Sequence, residues 1–156
     1  MIKKIRVDHR LLHGQVAFSW TSALNADCIL IANDSVVTDE LRKTTMKMAK
    51  PNGVKLVIKN LADSIRAINS GKTDKYKLFI VVESIRDAQT LLNEITQINE
   101  LNLGGTKATE KTRSISKAVN ITEEEEDILR SLLKQGTDIT IQMVPEDTPV
   151  PVEKAL

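Results

Sequence analysis

CILIA at residues 28–32 and KLFIVV at residues 77–82 decide the fold. Neither run alternates apolar with polar residues, so each reads as a strand buried on both faces, the pattern of a parallel sheet covered by helices on either side. Working outward, similar short apolar runs rich in β-branched residues stand at KKIRV (3–7), VKLVI (54–58), ELNL (100–103), SISKAV (114–119) and DITIQM (138–143), giving seven candidate strands. Helix-like segments lie between them. Val16, Trp20 and Leu24 recur four apart, which predicts a helix from about Gln15 to Asn25. Further helices are predicted around Val37, Leu41 and Met48; around Leu61, Ile65 and Ile68; and around Ile85, Ala88, Leu91, Leu92 and Ile95. Pro51, Asn52 and Gly53 form a turn into the third strand. Thr122 with Glu125 gives a capping-box start to the last helix, the acidic run Glu123–Asp127 suits the positive end of its dipole, and Gly136 supplies a left-handed stop. The expected architecture is α/β: a single domain with a mostly parallel central sheet of about seven strands, flanked by helices on both faces.

A chain of 156 residues is long enough for one domain with a proper core. With 22 Lys and Arg against 21 Asp and Glu, bulk charge favours neither nucleic acid nor an anionic membrane, and any positive site must be local. One Trp, one Tyr and two Phe leave few platforms for stacking bases. The lone Cys28 allows neither a disulfide framework nor a cysteine zinc site, so a reducing, cytoplasmic setting is the expectation. Lys3, Lys4 and Arg6 interrupt any signal-peptide pattern, and no apolar run reaches membrane-spanning length. The tail from residue 145 carries three prolines, which excludes a continuous helix or a central strand and predicts an extended arm or a disordered end.

The chemistry concentrates in IRVDHRLLHGQV, residues 5–16, where Arg6, Asp8, Arg10 and His13 crowd around the end of the first strand. A neutral imidazole is a good nucleophile and a good leaving group, and guanidinium groups hold phosphoryl oxygens bidentately. His13 and Gly14 stand at the entrance of the first helix, where the free N–H groups of Gly14 and Gln15 and the helix dipole favour a phosphoryl group. Asp8 is placed to orient Arg10 or one nitrogen of His13. Arg6 is a supporting candidate, since strand alternation alone leaves its direction open. Asn33, Asp34 and Ser35 after the second strand, Gly104 and Gly105 after the fifth, and Lys107 are expected near the same edge. Each also has a plainer reading: Arg6 and Arg10 as surface partners of Asp8, the ANDS segment as an ordinary turn, the two glycines as turn geometry, Trp20 and Cys28 as core.

The pattern RVDxRLxHGQV followed by Trp20, together with ANDSV at 32–36 and LNLGG at 101–105, resembles the B component of sugar phosphotransferase systems of the mannose, fructose and sorbose family. The similarity extends over nearly the whole chain. It implies a B domain over residues 1–144 followed by a proline-containing C-terminal arm at 145–156. It further implies a protein-histidine sugar phosphotransferase that accepts a phosphoryl group on His13 from a separate A component and passes it to sugar, together with membrane C and D components. Arg10 would clamp the phosphoryl group and Asp8 orient the imidazole, with no metal and no cofactor. The protein would be cytoplasmic and peripherally associated with the membrane complex, and a homo-oligomer is left open. The family commonly has an acidic residue at the position of His9, so this chain departs there. Against the carrier stand a regulatory module of the same fold that transfers no phosphate, and a hydrolase, which lacks a second convincing acid or base and any metal cluster.

Overall fold

The computed structural model describes residues 1–156. In chain order the elements are β1 (Ile2–Asp8), α1 (Gly14–Leu24), β2 (Cys28–Ala32), α2 (Glu40–Ala49), β3 (Lys55–Lys59), α3 (Leu61–Asn69), β4 (Leu78–Val82), α4 (Ile85–Glu94), β5 (Glu100–Gly105), β6 (Arg113–Ser114), β7 (Asn120–Ile121), α5 (Glu123–Lys134), β8 (Asp138–Ile141) and β9 (Val150–Pro151). Seven strands form one sheet in the order β3-β2-β4-β1-β5-β8-β9. Every pairing in it is parallel except that of β9 on β8.

Every residue of β2 and β4 is buried, and successive side chains go to opposite faces. Cys28, Leu30, Ala32, Leu78, Ile80 and Val82 join one apolar cluster with side chains of α3, α4 and α5. Ile29, Ile31, Phe79 and Val81 join the other, with Ala17 and Trp20 of α1 and Met46 of α2. The central strands thus carry two cores, which is why they lack alternation.

The arrangement places a switch point at the carboxyl end of β1. From β1 the chain crosses to α1 on one face; from its neighbour β4 it crosses to α4 on the other. Loops that part company in this way leave a crevice between adjacent strand ends, where open α/β sheets bind ligands.

Three expectations need correction. Residues 114–119 do not form a sheet strand. They turn between β6 and β7, a short antiparallel pair in which Ile115 N–H and Ser116 N–H both donate to the Val119 carbonyl. β-branched composition predicts a strand, but only Val119 and Ile121 are buried, with Ile115 packing at the rim of the core. The seventh strand of the sheet comes from the tail, which is extended and ordered: β9 pairs with β8, and Val152 beyond it is fully buried. As an edge strand of two residues it tolerates proline. The third correction concerns α2. Leu41 and Met48 point to solvent and Met46 alone is buried, because the helix starts afresh at its Asp39 cap after a 3-10 turn and so takes a different phase from Val37.

The last helix begins as expected. Thr122 Oγ1 accepts from Glu125 N–H while Glu125 Oε1 accepts from Thr122 N–H, a reciprocal cap, and Gly136 takes φ +87° beyond its end.

Ending the chain after Pro149 removes β9 and the buried Val152. Burial of one such side chain contributes about 1.5–3 kcal/mol. Urea unfolding of the shortened protein is expected to show a loss of at least that size.

Candidate functional site

β1 carries Arg6 and Asp8 on one face, and both side chains are buried, with Arg6 2% and Asp8 1% exposed. They pair directly, Arg6 Nη2 donating to Asp8 Oδ2 at 3.2 Å. Arg6 also donates from Nη1 to Asn102 Oδ1 (2.7 Å) and to the Gln142 carbonyl (3.1 Å). The indole of Trp20 lies 5.3 Å from its guanidinium carbon. Its other boundary is Gly104, where a Cβ would stand 2.0 Å from that same carbon, so the guanidinium occupies the space of the missing side chain. Arg6 is therefore an internal anchor with no face turned to a ligand.

Asp8 is the hub. Its Oδ1 accepts the Arg10 backbone N–H at 3.0 Å, and its Oδ2, already holding Arg6, lies 3.0 Å from Nε2 of His13. Burial pushes the Asp8 carboxyl up, but the hydrogen bonds from His13 and the Arg10 amide and the charge of Arg6 outweigh it and hold the group below its ordinary value. Burial pushes Arg6 down, opposed chiefly by Asp8, and a guanidinium remains charged under such a shift. An ionised carboxylate only accepts, so the shared proton belongs to Nε2 of the imidazole. Nδ1 then carries the lone pair.

The loop between Asp8 and His13 is tightly held. Leu11 N–H donates to the Asp8 carbonyl at 2.9 Å, and Leu11 takes a left-handed φ of 57° although it is no glycine. That conformation costs about 1–2 kcal/mol, and the burial of its side chain, 3% exposed, offsets it. His13 then caps α1 with extended backbone, and Gly14 opens the helix at φ +37°. The first bond of the helix runs from Ala17 N–H to the His13 carbonyl, so the N–H groups of Gly14, Gln15 and Val16 have no partner within the chain. Arg10, its side chain 58% exposed, stands with Nε 3.9 Å from Asp8 Oδ1. One end of this site is thus buried and fixed, and the other presents His13, Arg10 and a helix start to solvent.

Other predicted residues fall elsewhere in role. Asn33 Oδ1 accepts from Ser35 N–H, Ser35 Oγ and Val36 N–H, and Asp34 Oδ1 accepts from Leu61 N–H, so the ANDS segment is occupied in building its own turn. Gly104 serves a close approach, and Gly105 pairs with β1 opposite Asp8. Lys107 lines a polar cleft with His9. Sequence reasoning missed Asn102 and Gln142, which hold Arg6. The available signal was Asn102 itself, a polar residue between Leu101 and Leu103 in a buried strand. No group of three or more His, Cys, Asp or Glu side chains is assembled to hold a metal, and no helix is long and apolar enough to cross a membrane.

With this geometry in view, the chain matches the family model described as the PTS system sorbose subfamily IIB component over residues 2–156. It is 39% identical over 117 residues to a probable phosphotransferase enzyme IIB component of Streptococcus pyogenes serotype M6, covering 75% of this chain and 72% of that one. It is 33% identical over 147 residues to the sorbose-specific EIIB component of Lacticaseibacillus casei, covering 94% and 90%. The crystal structure of the IIBSor domain of the sorbose permease from Klebsiella pneumoniae superposes with a TM-score of 0.94 at 29% identity, covering 99% of this chain and 95% of that one.

Gly104→Ala forces the Arg6 guanidinium out of its slot. Unpairing a buried ion pair costs about 3–5 kcal/mol, and the urea midpoint is expected to fall accordingly. Because the folded-state pKa of Asp8 is depressed, its contribution is fully present above the unfolded value and is lost as pH falls through the folded one. Asp8→Asn is therefore expected to lower stability at neutral pH and to make the loss of stability below about pH 4 shallower than in the wild type.

Proposed function

Because this chain belongs to the sorbose subfamily of phosphotransferase-system IIB components, we propose that it carries a phosphoryl group on His13 between a separate A component and a sugar presented by membrane C and D components. The observation that carries this reading is the pairing of His13 Nε2 with buried Asp8, which leaves Nδ1 as the nucleophile beside Arg10 and the open start of α1.

In the first step Nδ1 attacks the phosphorus of the donor phosphohistidine in line, forming the new N–P bond as the donor's N–P bond breaks. Positive charge gathering on the His13 ring is stabilised by Asp8 through Nε2–H, as a buried carboxylate does for other catalytic imidazoles. Asp8 itself stays ionised because Arg6 and the Arg10 amide hold it so. The phosphoryl oxygens meet the free N–H groups of Gly14, Gln15 and Val16 and the exposed guanidinium of Arg10. In the second step a sugar hydroxyl attacks the phosphorus as the Nδ1–P bond breaks, the hydroxyl proton passes to water, and His13 leaves with Nε2 still protonated and its Nδ1 lone pair restored. Arg6 never touches phosphate; it acts by keeping Asp8 charged and in place. Transfer in both directions uses one exposed face, so the encounters are brief and the interfaces small. Residues 1–144 make up the carrier in this reading, and the arm at 145–156 closes the edge of its sheet. The protein works in the cytoplasm, at the membrane complex.

Incubation with labelled phosphoenolpyruvate, the general phosphotransferase proteins and the A component is expected to give a label that is labile in acid and stable in base. His13→Ala abolishes it and His9→Ala keeps it. Arg10→Ala slows its formation on the order of a hundredfold, the usual cost of one preorganised donor, without shifting the urea midpoint. A folded wild-type protein that takes up no label points instead to a regulatory module.

A further inference from the structure

Trp20 is 3% exposed and lies on the apolar side of α1, where any large hydrophobe would fill the space. Its indole does something that an apolar side chain cannot. Nε1 donates to the carbonyl of Met143 at 3.0 Å, in the segment that follows β8 and is remote from α1 in sequence. The ring lies over the face of β1 that carries the site, its centre 5.4 Å from Lys4 Nζ and 5.3 Å from the Arg6 guanidinium carbon. Phe79 is its aromatic neighbour, 6.5 Å away between ring centres. A buried indole takes a hydrogen-bond partner as a rule, but this partner adjoins the one that holds Arg6. The carbonyl of Gln142 accepts from Arg6 Nη1 at 3.1 Å and from Asn102 Nδ2 at 3.0 Å. Two consecutive carbonyls thus receive the two sides of the site.

Asp8 and His13 belong to different elements, and their 3.0 Å contact fixes the imidazole proton only while those elements keep register. Asp8 is tied to Gln142 through Arg6. His13 caps α1, and Trp20 stands seven residues further on, about 10 Å along the helix axis. The apolar flank of α1 supplies attraction without direction, so a second directed attachment, two turns from the cap, is what stops the helix from pivoting or sliding. A slide of about half an ångström takes the Nε2 contact out of the range of a good hydrogen bond and frees the ring to exchange tautomers. The dipeptide to which both sides are tied is itself held firmly. Gln142 N–H donates to the Leu103 carbonyl at 3.1 Å, and its side chain bridges the turn that follows, donating from Nε2 to the carbonyls of Pro145 (3.2 Å) and Asp147 (3.0 Å).

We propose that Trp20 is a positioning residue for phosphoryl transfer: its N–H, bonded to Met143, sets α1 in register with the Arg6–Asp8 pair and so keeps the His13 proton on Nε2 and the lone pair on Nδ1. This rests on the carrier reading for its purpose, whereas the effect on the imidazole does not depend on it. Trp20 touches neither phosphate nor donor. It acts through the helix.

Trp20→Phe keeps an aromatic ring beside Lys4, Arg6 and Phe79 and removes the donor. Two quantities are read: the ring nitrogen resonances of His13 in isotope-labelled protein, recorded in mildly alkaline solution where a neutral imidazole reports its tautomer, and single-turnover labelling from phosphoenolpyruvate through the A component. The wild type is expected to show the Nε2–H tautomer and the variant a mixture of both. Labelling of the variant is expected to slow roughly tenfold, as misplacement of a reacting group does, with the half-saturating concentration of the A component unchanged. Ile68→Val trims the core on the other face of the sheet and is the control for lost stability. It is expected to lower the urea midpoint about as far as Trp20→Phe does, since losing one core methylene or one hydrogen bond costs a similar amount, and to leave tautomer and labelling rate as in the wild type. A wild-type tautomer or a wild-type rate in Trp20→Phe overturns the proposal, as does an equal change of both in Ile68→Val. Where no protein takes label, the wild type included, a tautomer shift confined to Trp20→Phe retains the positioning of the imidazole and sinks the carrier.

Discussion

The structure depends on a buried ion pair at the end of one strand. Arg6 and Asp8 lie two residues apart on β1, almost without solvent. Removing two charges from water is costly, and their attraction compensates only when the remaining donors and acceptors are satisfied. Here they are: Asn102, the Gln142 carbonyl, the Arg10 amide and His13 complete the set. The pair therefore ties β1 to β5 and to the segment after β8, and it fixes the start of α1 through His13. Stability and reactivity meet in one carboxylate.

The consequence for the site is a division between rigid and open parts. Everything that determines which imidazole nitrogen bears the proton is buried. The groups that the proposed transfer assigns to the phosphoryl oxygens, Arg10 and the first turn of α1, are exposed and have little else to do. A carrier of the kind proposed must accept and release the same group with comparable ease, so a site that bound it very tightly would trap it. An exposed arginine on a held loop is suited to that balance, since its charge is screened and its contacts are readily exchanged.

Much of this was legible in the sequence because the strongest signals were local. The uninterrupted runs at 28–32 and 78–82 could serve only as strands with core on both sides, and the Thr122 and Glu125 pair announced its helix start. The candidate site was visible as a cluster of types around His13. What could not be read was decided by distant partners. Alternation put Arg6 and Asp8 on one face but could not reveal that Trp20, Gly104 and Asn102 would enclose a guanidinium there. Asn33 and Ser35 sat at the expected edge, yet their hydrogen bonds turn inward. Leu41 and Met48 had helical spacing, but spacing does not say which face meets the sheet. β9 is two residues long and gains strand character only from the edge it covers.

That short strand has a bearing on how the molecule is made. Until residues 150–152 dock, β8 is an open edge, with unpaired backbone groups available to any neighbouring chain. The closing strand comes last of the seven in chain order, so a nascent chain carries this exposed edge from the moment β8 is in place until the residues that follow it arrive. The opposite edge, β3, is guarded from the outset by Lys55 and Lys59 at its two ends. Self-association during biogenesis is thus a hazard of one edge only, and its window shuts with the arrival of a few residues.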